Sequence, residues 1–425
     1  MSCETEELTM SHFKQQLQQY AELIVAVGGN VQPGQTVMLQ IEVEQSELAH
    51  LITTAAYQRG AAEVIVNWQD TATQQAFIAH AATERLTTVD QVATAQVNDW
   101  LDKAATRIVV MSADPSSLSG LPAERIAAYQ QTQAQIKQPL MQALQANRFS
   151  WTVVAAAGVD WAHHVFPDLP PNVAVTKLWQ LIFKITRIDQ PDPIAAWQQH
   201  AAELKAYATK LNQLPLDRLH YYSAKTDLTI GLPKNYNWSG ATSENSHGQT
   251  FMPNMPTEEI FTAPDRHRVD GTVTATKPLS YAGTIIDGMV FTFTNGRITA
   301  AHADHGQSAL DHLLATDAGA QHLGELALVP EATPIARSGL IFYNTLFDEN
   351  AANHLAFGSA YPFSIKDGTS MIDAQLKAAA LNTSQLHVDF MIGAPDMAID
   401  AYTKDDRLIP IFRNGNWVPG LLDQY

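Results

Sequence analysis

The chain has 425 residues, of which 46% are hydrophobic and 16% charged, and its formal net charge is −17. This composition is typical of a globular protein, and the negative charge argues against a nucleic-acid ligand, which would need a basic surface. The single cysteine, Cys3, excludes internal disulfide bonds and thiolate metal clusters. The first residues have no signal-peptide pattern, and no apolar run approaches the ~20 residues that span a bilayer. We therefore expect a cytoplasmic protein without a membrane partner.

The first half of the chain alternates between helical and strand patterns. Runs rich in Val, Ile and Ala lie at 36–43, 62–68, 107–111 and 151–157, and segments with helical spacing separate them. Such continuous apolar strands are typical of a parallel sheet covered by helices on both faces. The sequence therefore predicts an α/β, doubly wound-like domain. No glycine-rich phosphate loop follows a strand, so a nucleotide site is not expected.

The pattern changes near residue 215, after predicted helices at 172–187 and 193–214. From residue 219 short alternating strands dominate, and Asn295-Gly296 and Asn414-Gly415 are strong signals for two-residue hairpins. A chain of this length is expected to form two domains. We predict an α/β domain with a mostly parallel sheet at 1–215 and an α+β catalytic metal-binding domain at 216–425.

Carboxylates and histidines are scattered through the second half, each beside small, apolar or turn residues. They are Glu259 in PTEEIF, Glu325 in LGELAL, His354 in NAANHLAFG, and His387 and Asp389 in LHVDFMIG. A charged side chain in an apolar stretch costs several kcal/mol unless a partner compensates it. A divalent metal ion is such a partner, and mixed carboxylate and imidazole ligands suit zinc, cobalt or manganese. The set predicts a hydrolase that uses metal-activated water.

Each candidate also has a simpler interpretation, and for Glu258 and Glu259 it is that one of the two only accepts hydrogen bonds from backbone amides. His387 and Asp389 lie two apart on a predicted strand and share a face. The simpler interpretation is that they hydrogen-bond to each other and bind no metal. Glu325 could be an exposed residue at a helix end. His354 and Glu349 fall in a segment with a helical pattern, where a separation of five residues is not a same-face pair, and His354 could be a core residue.

A denser cluster at His302, Asp304 and His305 competes with this set. Asp311 and His312 follow it, but the cluster comes directly after a hairpin strand at a polar turn, which favours solvated surface. The pair His163-His164 is expected at the start of a helix. Neither the GxSxG nor the HExxH motif occurs, so a serine hydrolase and a zincin-type protease are not expected.

At these residues the chain resembles the metal-dependent aminopeptidases of the aminopeptidase T, aminopeptidase S and PepS type, the thermophilic aminopeptidases. The resemblance runs nearly from end to end. Its blocks are VQPGQTVMLQIEVEQSELAHLI, VFPDLPPNVAVTKLWQLIFKITRID, NMPTEEIFTAP, GELALVP, LFDENAANHLAFGSAYP and HVDFMIG. Several spaced blocks in the right order are a more specific signal than any one of them.

The resemblance implies a site with two divalent metal ions (Co²⁺, Zn²⁺ or Mn²⁺). Carried over by position, the ligands are Glu259, Glu325, His354, His387 and Asp389, and Glu325 bridges both ions. Glu259 is preferred to Glu258 because the family's glutamate directly precedes an aliphatic–aromatic pair. Glu349 is implied as general base, and Tyr361 as the group that polarises the tetrahedral intermediate.

The function implied is that of a metalloaminopeptidase that releases N-terminal amino acids from peptides with a free N-terminus. The resemblance also implies a homodimer whose active sites face an internal cavity. Two alternatives remain open at this stage. One is a di-metal amidohydrolase or phosphoesterase for another small substrate, and the other is a binding or scaffold protein with a degenerate metal site.

Overall fold

The computed structural model describes residues 3–281 and 284–423, with side chains from residue 11 onward. The chain forms two compact units. The first comprises Met1–Gln199 and Thr242–Pro256, and the second comprises His200–Ala241 and Thr257–Tyr425. The predicted boundary near residue 215 lies within the second unit, just after the helix that crosses from one unit to the other. In the described part of the chain, no helix combines the length and the apolar character needed to span a membrane.

The first unit is built on a parallel sheet. Its strands are Thr36–Glu42 (β1), Glu63–Gln69 (β2), Thr106–Met111 (β3) and Trp151–Ala155 (β4), in the spatial order β2-β1-β3-β4. Its helices are Cys3–Leu23 (α1), Ser46–Gln58 (α2), Thr71–His80 (α3), Thr83–Thr87 (α4), Gln91–Asp102 (α5), Ala123–Gln145 (α6), Val159–Val165 (α7) and Pro171–Ile185 (α8). The prediction of a parallel sheet is confirmed.

The helices of this unit begin and pack as their sequences suggest. Asp70 and Asp90 accept backbone N–H groups at the starts of α3 and α5, which satisfies donors that a helix leaves unpaired. The apolar sides of α5 and α6 place Trp100 and Leu140 against Met38 of β1 in one buried cluster. Burial of this apolar surface is the main force that holds helix to sheet.

The second unit is mainly antiparallel. The helix Pro193–Gln213 (α9) begins in the first unit and ends in the second. The other helices are Gln307–Leu314 (α10), Thr345–Asp348 (α11) and Asp373–Ala378 (α12). The strands up to residue 262 are Leu216–Tyr222 (β5), Asp227–Gly231 (β6), Ser239–Gly240 (β7), Ser243–Glu244 (β8), Thr250–Phe251 (β9) and Ile260–Thr262 (β10), of which β8 and β9 belong to the first unit.

The later strands complete the two large antiparallel sheets, except for Leu279–Tyr281 and Thr284–Ile286, which pair with each other in a separate two-stranded sheet. They are Val269–Thr274 (β11), Leu279–Tyr281 (β12), Thr284–Ile286 (β13), Val290–Thr294 (β14), Arg297–His302 (β15), Leu323–Leu328 (β16), His354–Gly358 (β17), His387–Met391 (β18), Ala398–Thr403 (β19), Leu408–Arg413 (β20) and Asn416–Trp417 (β21). One sheet has eight strands in the order β15-β14-β11-β6-β5-β19-β20-β21. The other has five strands in the order β18-β17-β16-β10-β7.

Both predicted hairpins are present. Asn295 and Gly296 connect β14 to β15 with φ angles of 50° and 82°, and Asn414 and Gly415 connect β20 to β21 with φ angles of 50° and 69°. Positive φ at both turn residues is the geometry that matches the twist of two paired strands, and Asn-Gly adopts it readily.

Aromatic side chains join the two antiparallel sheets. Phe291 of β14 lies 4.9 Å from Phe357 of β17 and 5.1 Å from Phe390 of β18, between ring centroids, and all three are fully buried. The face of the five-stranded sheet that carries these rings therefore belongs to the core, and its other face is free for polar side chains.

Candidate metal centre

Three neighbouring strands of the five-stranded sheet carry four of the predicted ligands. Glu325 lies on β16, His354 begins β17, and His387 and Asp389 lie on β18. Asp389 pairs with Ala356 in the register of β17 and β18. Antiparallel pairing thus brings together residues that are far apart in the sequence, such as Glu325 and Asp389, which are separated by 64 positions.

The prediction that His354 and Glu349 lie on one helix was wrong. His354 opens β17, and Glu349 starts a 3₁₀ turn, Glu349–Ala351, after the short helix α11. Pairing of β17 with strands on both sides overrides the weak helical preference of an alanine-rich segment. Glu325 is not at an exposed helix end either, because it lies within β16 and is 5% exposed.

A β-bulge turns Glu325 towards the site. Leu323 pairs with Phe357 while Glu325 pairs with Ala356, so two steps along β16 match one step along β17. With regular alternation Glu325 would share the core face of Leu323. The additional residue is Gly324, and a Cβ there would lie 2.4 Å from the carbonyl oxygen of Gly358. The bulge re-aims the carboxylate, as bulges near functional sites often do.

Strand β18 has one polar and one apolar face, as the sequence predicted. His387 and Asp389 share one face, and the ring of Phe390 on the other face stacks on Phe357 at 4.2 Å between centroids and an interplanar angle of 10°. This packing holds the two site-bearing strands together from behind.

The polar atoms form two groups that share Glu325. His354 Nε2 lies 3.0 Å from Glu259 Oε2 and 3.8 Å from Glu325 Oε1. His387 Nε2 lies 3.4 Å from Glu325 Oε2 and 3.6 Å from Asp389 Oδ1. Within each group one ligand atom per residue lies within 4.8 Å of the others. Glu259 directly precedes β10, the strand beside β16. All five predicted ligands are therefore gathered in one place.

Backbone carbonyl groups orient both imidazoles. His354 Nδ1 lies 3.2 Å from the carbonyl oxygen of Ala352, and His387 Nδ1 lies 2.7 Å from that of Ser359. Donation of the Nδ1 proton to a carbonyl leaves the lone pair on Nε2, which faces the carboxylates. Metal-ligating histidines are usually held in this way.

The carboxylate of Glu259 supports a metal at this position. Its Oε2 atom is buried, and His354 Nε2 lies 3.0 Å away. Two potential ligand atoms that face each other at this distance in a buried site are arranged as two ligands of one ion would be. Three carboxylates and two imidazoles are also a donor set that zinc, cobalt or manganese accepts. The residues present therefore fit a divalent metal.

Electrostatics within the cluster are strong. Burial opposes the charged form of His354, but Glu259 and Glu325 outweigh it and raise the pKa of this imidazole well above its usual value. Burial likewise opposes the charged form of His387, and its interactions with Tyr361 and nearby carboxylates raise its pKa well above the usual value. The site thus attracts positive charge.

The pKa values of the carboxyl groups in the cluster shift in opposite directions. Burial, followed by the negative charges of Asp389 and Glu259, raises the pKa of Glu349 well above its usual range. Burial also raises the pKa of Glu259 against the attraction of His354. For Asp389 the attraction of His387 outweighs burial, and its pKa is lowered. Glu349 is therefore the carboxyl of raised pKa that lies beside the ligand groups.

Tyr361 adjoins this cluster through its ring. The ring centroid lies 4.8 Å from that of His387, and Phe363 stacks on the tyrosine at 5.2 Å and 15°. The charge of His387 lowers the pKa of Tyr361, but burial and the nearby carboxylates raise it, to about 12. The hydroxyl therefore stays protonated at neutral pH and can donate a hydrogen bond.

Sequence reasoning missed Asn350. Its side chain is fully buried, Oδ1 accepts the N–H of Glu258 at 2.6 Å, and Nδ2 donates to the carbonyl of Leu346 at 2.9 Å. The same Nδ2 lies 3.5 Å from Glu349 Oε1. Asn350 therefore connects the segment of Glu259 to that of Glu349. Its only sequence signal was its position next to Glu349.

Glu258 is directed away from the ligand groups. Its Oε2 atom lies 3.3 Å from His200 Nε2, so it has a partner of its own. This is consistent with the choice of Glu259, rather than Glu258, as the candidate ligand.

The competing histidines lie elsewhere. His302 and Asp304 form a pair 3.2 Å apart on the surface, with side chains 68% and 70% exposed. His164 Nδ1 lies 3.4 Å from Asp114 Oδ1 in the first unit. In the described part of the chain, neither pair belongs to a group of three side chains that could hold a metal.

Two groups of carboxylates and imidazoles that share Glu325, with the raised-pKa carboxyl of Glu349 beside them, are typical of a divalent-metal-dependent hydrolase. The chain belongs to the thermophilic metalloprotease family M29, whose model matches residues 13–417.

Known relatives match almost the whole chain. Aminopeptidase PepS of Streptococcus thermophilus is 48% identical over 412 residues, which cover 97% of this chain and 100% of the relative. Aminopeptidase AmpS of Bacillus subtilis (strain 168) is 45% identical over 408 residues, with coverages of 96% and 100%. The structure of wild-type AmpT from Thermus thermophilus superposes with a TM-score of 0.90 at 37% identity, covering 96% of this chain and 100% of that one.

Proposed function

We propose that this protein is a metal-dependent aminopeptidase that releases N-terminal residues from peptides, with two divalent ions held by Glu259, Glu325, His354, His387 and Asp389. The observation that carries the proposal is the pair of ligand groups that share Glu325. The family and the relatives named as aminopeptidases support the reaction type. They do not support the alternative of a hydrolase for another small substrate.

Bound divalent ions would lower the pKa of a water and polarise the scissile carbonyl. The chain supplies the proton transfers and the positioning. Glu349, whose pKa is raised by burial and by neighbouring carboxylates, accepts the proton of the attacking water and returns it to the leaving amine. The hydroxyl of Tyr361 donates a hydrogen bond to the oxygen that becomes negative in the transition state. The backbone carbonyls of Ala352 and Ser359 keep His354 and His387 in the required tautomer.

Hydrolysis of aminoacyl-p-nitroanilides tests the proposal directly. Purified protein is assayed after EDTA treatment and again after addition of Co²⁺, Zn²⁺ or Mn²⁺, with N-acetylated substrates and p-nitrophenyl phosphate in parallel. We expect activity that is lost with EDTA, recovered with metal and confined to substrates with a free amine. Hydrolysis of the phosphate ester alone would favour the alternative function.

A matched pair of variants separates the site from other histidines. His387→Ala should abolish activity and metal retention, whereas His302→Ala, in the exposed pair, should leave both unchanged. Glu325→Gln keeps the shape of the side chain but removes its charge, so elemental analysis should show a lower metal content. Full activity in His387→Ala or in Glu325→Gln would contradict the proposed site.

The homodimer implied by the resemblance is part of the proposal. Light scattering after size-exclusion chromatography measures the mass directly. A mass near twice the 46.6 kDa of the chain is expected, and a monomer that retains full activity would remove the dimer from the proposal.

A further inference from the structure

Glu259 is the one candidate ligand that does not lie in a strand. The other four belong to β16, β17 and β18, where the hydrogen bonds of the sheet fix the backbone. Glu259 instead ends the irregular segment 257–259, which leads into β10. Side chains on irregular segments are placed less precisely than those on strands unless neighbouring groups hold the backbone. The position of the Glu259 carboxylate therefore depends on the contacts of the two residues before it.

His200 of α9 contacts both of these residues. Its Nε2 atom lies 2.8 Å from the carbonyl oxygen of Thr257 and 3.3 Å from Glu258 Oε2. A carbonyl oxygen can only accept a hydrogen bond, so Nε2 carries the proton in this contact. All three residues belong to the second unit. One N–H group thus holds the main chain and a side chain of the same segment.

The two hydrogen bonds to the main chain act on a single peptide group. His200 donates to the carbonyl oxygen of Thr257, and Asn350 Oδ1 accepts the N–H of Glu258 at 2.6 Å. These C=O and N–H groups belong to the same peptide bond, and they point to opposite sides of a planar unit. Hydrogen bonds at both ends fix the orientation of that plane, which sets the direction in which the chain enters Glu259.

The pair formed by His200 and Glu258 is shielded from water. The two side chains are 12% and 5% exposed, and Thr257 is 4% exposed. Water therefore competes little for these contacts, and a buried carboxylate that loses its partner is strongly disfavoured. The pair is consequently a firm attachment between α9 and the segment that carries the ligand.

We propose that His200 and Glu258 are positioning residues that hold Glu259 in place as a metal ligand. Glu258 directs its carboxylate to His200, while the carboxylate of Glu259 lies 3.0 Å from His354 Nε2. The pair therefore anchors the segment on one side, and the ligand is presented on the other. This inference rests on the proposed function, because it requires divalent ions to be bound.

The effect of the pair is confined to one of the two ligand groups. Glu259 belongs to the group with Glu325 and His354, and it is not a member of the group formed by Glu325, His387 and Asp389. Loss of the pair should therefore weaken one ion and spare the other. A residue that only stabilised the fold would not produce this selectivity.

Calorimetric titration of Co²⁺ into protein from which metal and EDTA have been removed tests the inference. We expect two ions per chain in the wild type. The double variant His200→Leu, Glu258→Gln removes the hydrogen bond and leaves no unpaired buried charge. We expect it to bind one ion with wild-type affinity and the other roughly 10–100-fold more weakly, as is typical when a group that orients a ligand is lost.

Two matched variants serve as controls. His200→Gln, Glu258→Gln makes the same change in charge, but the N–H group of the glutamine at position 200 can donate to the carbonyl of Thr257, so most of the lost affinity should return. His220→Ala removes a comparable pair on the eight-stranded sheet, where His220 Nε2 lies 2.7 Å from Asp227 Oδ1. This variant should bind both ions as the wild type does.

The melting temperature of metal-free protein checks that each variant folds. We expect the leucine to fill the volume of the imidazole. If it does not fold, His200→Asn with Glu258→Gln replaces it, because the shorter amide does not reach the carbonyl of Thr257, and the same selective weakening is expected.

The possible results separate this inference from the proposed function. Two ions bound by the leucine variant with wild-type affinity would overturn the inference and leave the proposed function intact. Equal weakening of both ions would also overturn it, because the pair would then support the fold as a whole. A wild-type protein that binds no divalent ion would refute the proposed function and this inference together.

Discussion

Replacement of Tyr361 by phenylalanine isolates the contribution of one hydroxyl. The ring contacts with His387 and Phe363 stay in place, so the variant should fold with an unchanged melting temperature. With a pKa of about 12 the native hydroxyl is protonated at neutral pH and can donate to a developing oxyanion. Loss of one such donor typically lowers kcat by about 10²–10³, which is roughly 2.7–4 kcal/mol of transition-state stabilisation.

Steady-state hydrolysis of an aminoacyl-p-nitroanilide by the metal-loaded variant is the assay. We expect the loss in kcat with little change in KM, since an interaction made only in the transition state does not affect substrate binding. Tyr402→Phe is the matched control, because this half-buried ring packs against Arg218 outside the metal centre. A kcat within twofold of the wild type in Tyr361→Phe, with metal content intact, would refute the role assigned to the hydroxyl.

Three further outcomes are expected. Phe357→Ala removes a fully buried ring, which typically lowers the free energy of unfolding by about 3–5 kcal/mol. In a unit of this size the melting temperature should fall by roughly 6–20 °C. A shift near zero in calorimetry would contradict the packing described. In metal-free protein the raised pKa values of His354 and His387 contribute stability that is fully present below about pH 6.5 and is lost as pH rises through the folded-state values. The melting temperature after EDTA treatment should therefore fall as the pH is raised above about 6.5. Replacing both histidines by glutamine should flatten that dependence. Asn350→Ala leaves the buried N–H of Glu258 without its acceptor, so stability should fall by about 1–3 kcal/mol and divalent-ion affinity by roughly 10–100-fold in chelator competition; wild-type affinity would show that Asn350 does not position the site.

Local patterns in the sequence were sufficient for several elements. The four parallel strands follow from continuous apolar runs, and the two Asn-Gly hairpins follow from the backbone conformations that those residues adopt. On β18 simple alternation placed His387 and Asp389 on one face and Phe390 on the other, as observed. In each case the information lies within a few neighbouring residues.

Other features depend on contacts between distant segments. His354 lies in a strand because β16 and β18 pair with it on both sides, which its own alanine-rich neighbourhood does not indicate. The connection that Asn350 makes between Glu258 and Glu349 depends on tertiary packing and has no periodic signal. Family resemblance supplied the candidate ligand set, because spacing alone does not favour a metal ligand over the simpler interpretation of each residue.

The bulge at Gly324 limits how this centre could be transplanted into another protein. A designer who copied the candidate ligand side chains onto a regular three-stranded sheet would keep every residue type but place Glu325 on the hydrophobic face. The graft must therefore include the interrupted alternation of β16 and a residue without a side chain at position 324, where the carbonyl oxygens of Gly358 and Ser359 leave no room for one. The feature that must be transferred is therefore the bulged backbone of β16, because that backbone directs Glu325 towards the other candidate ligands.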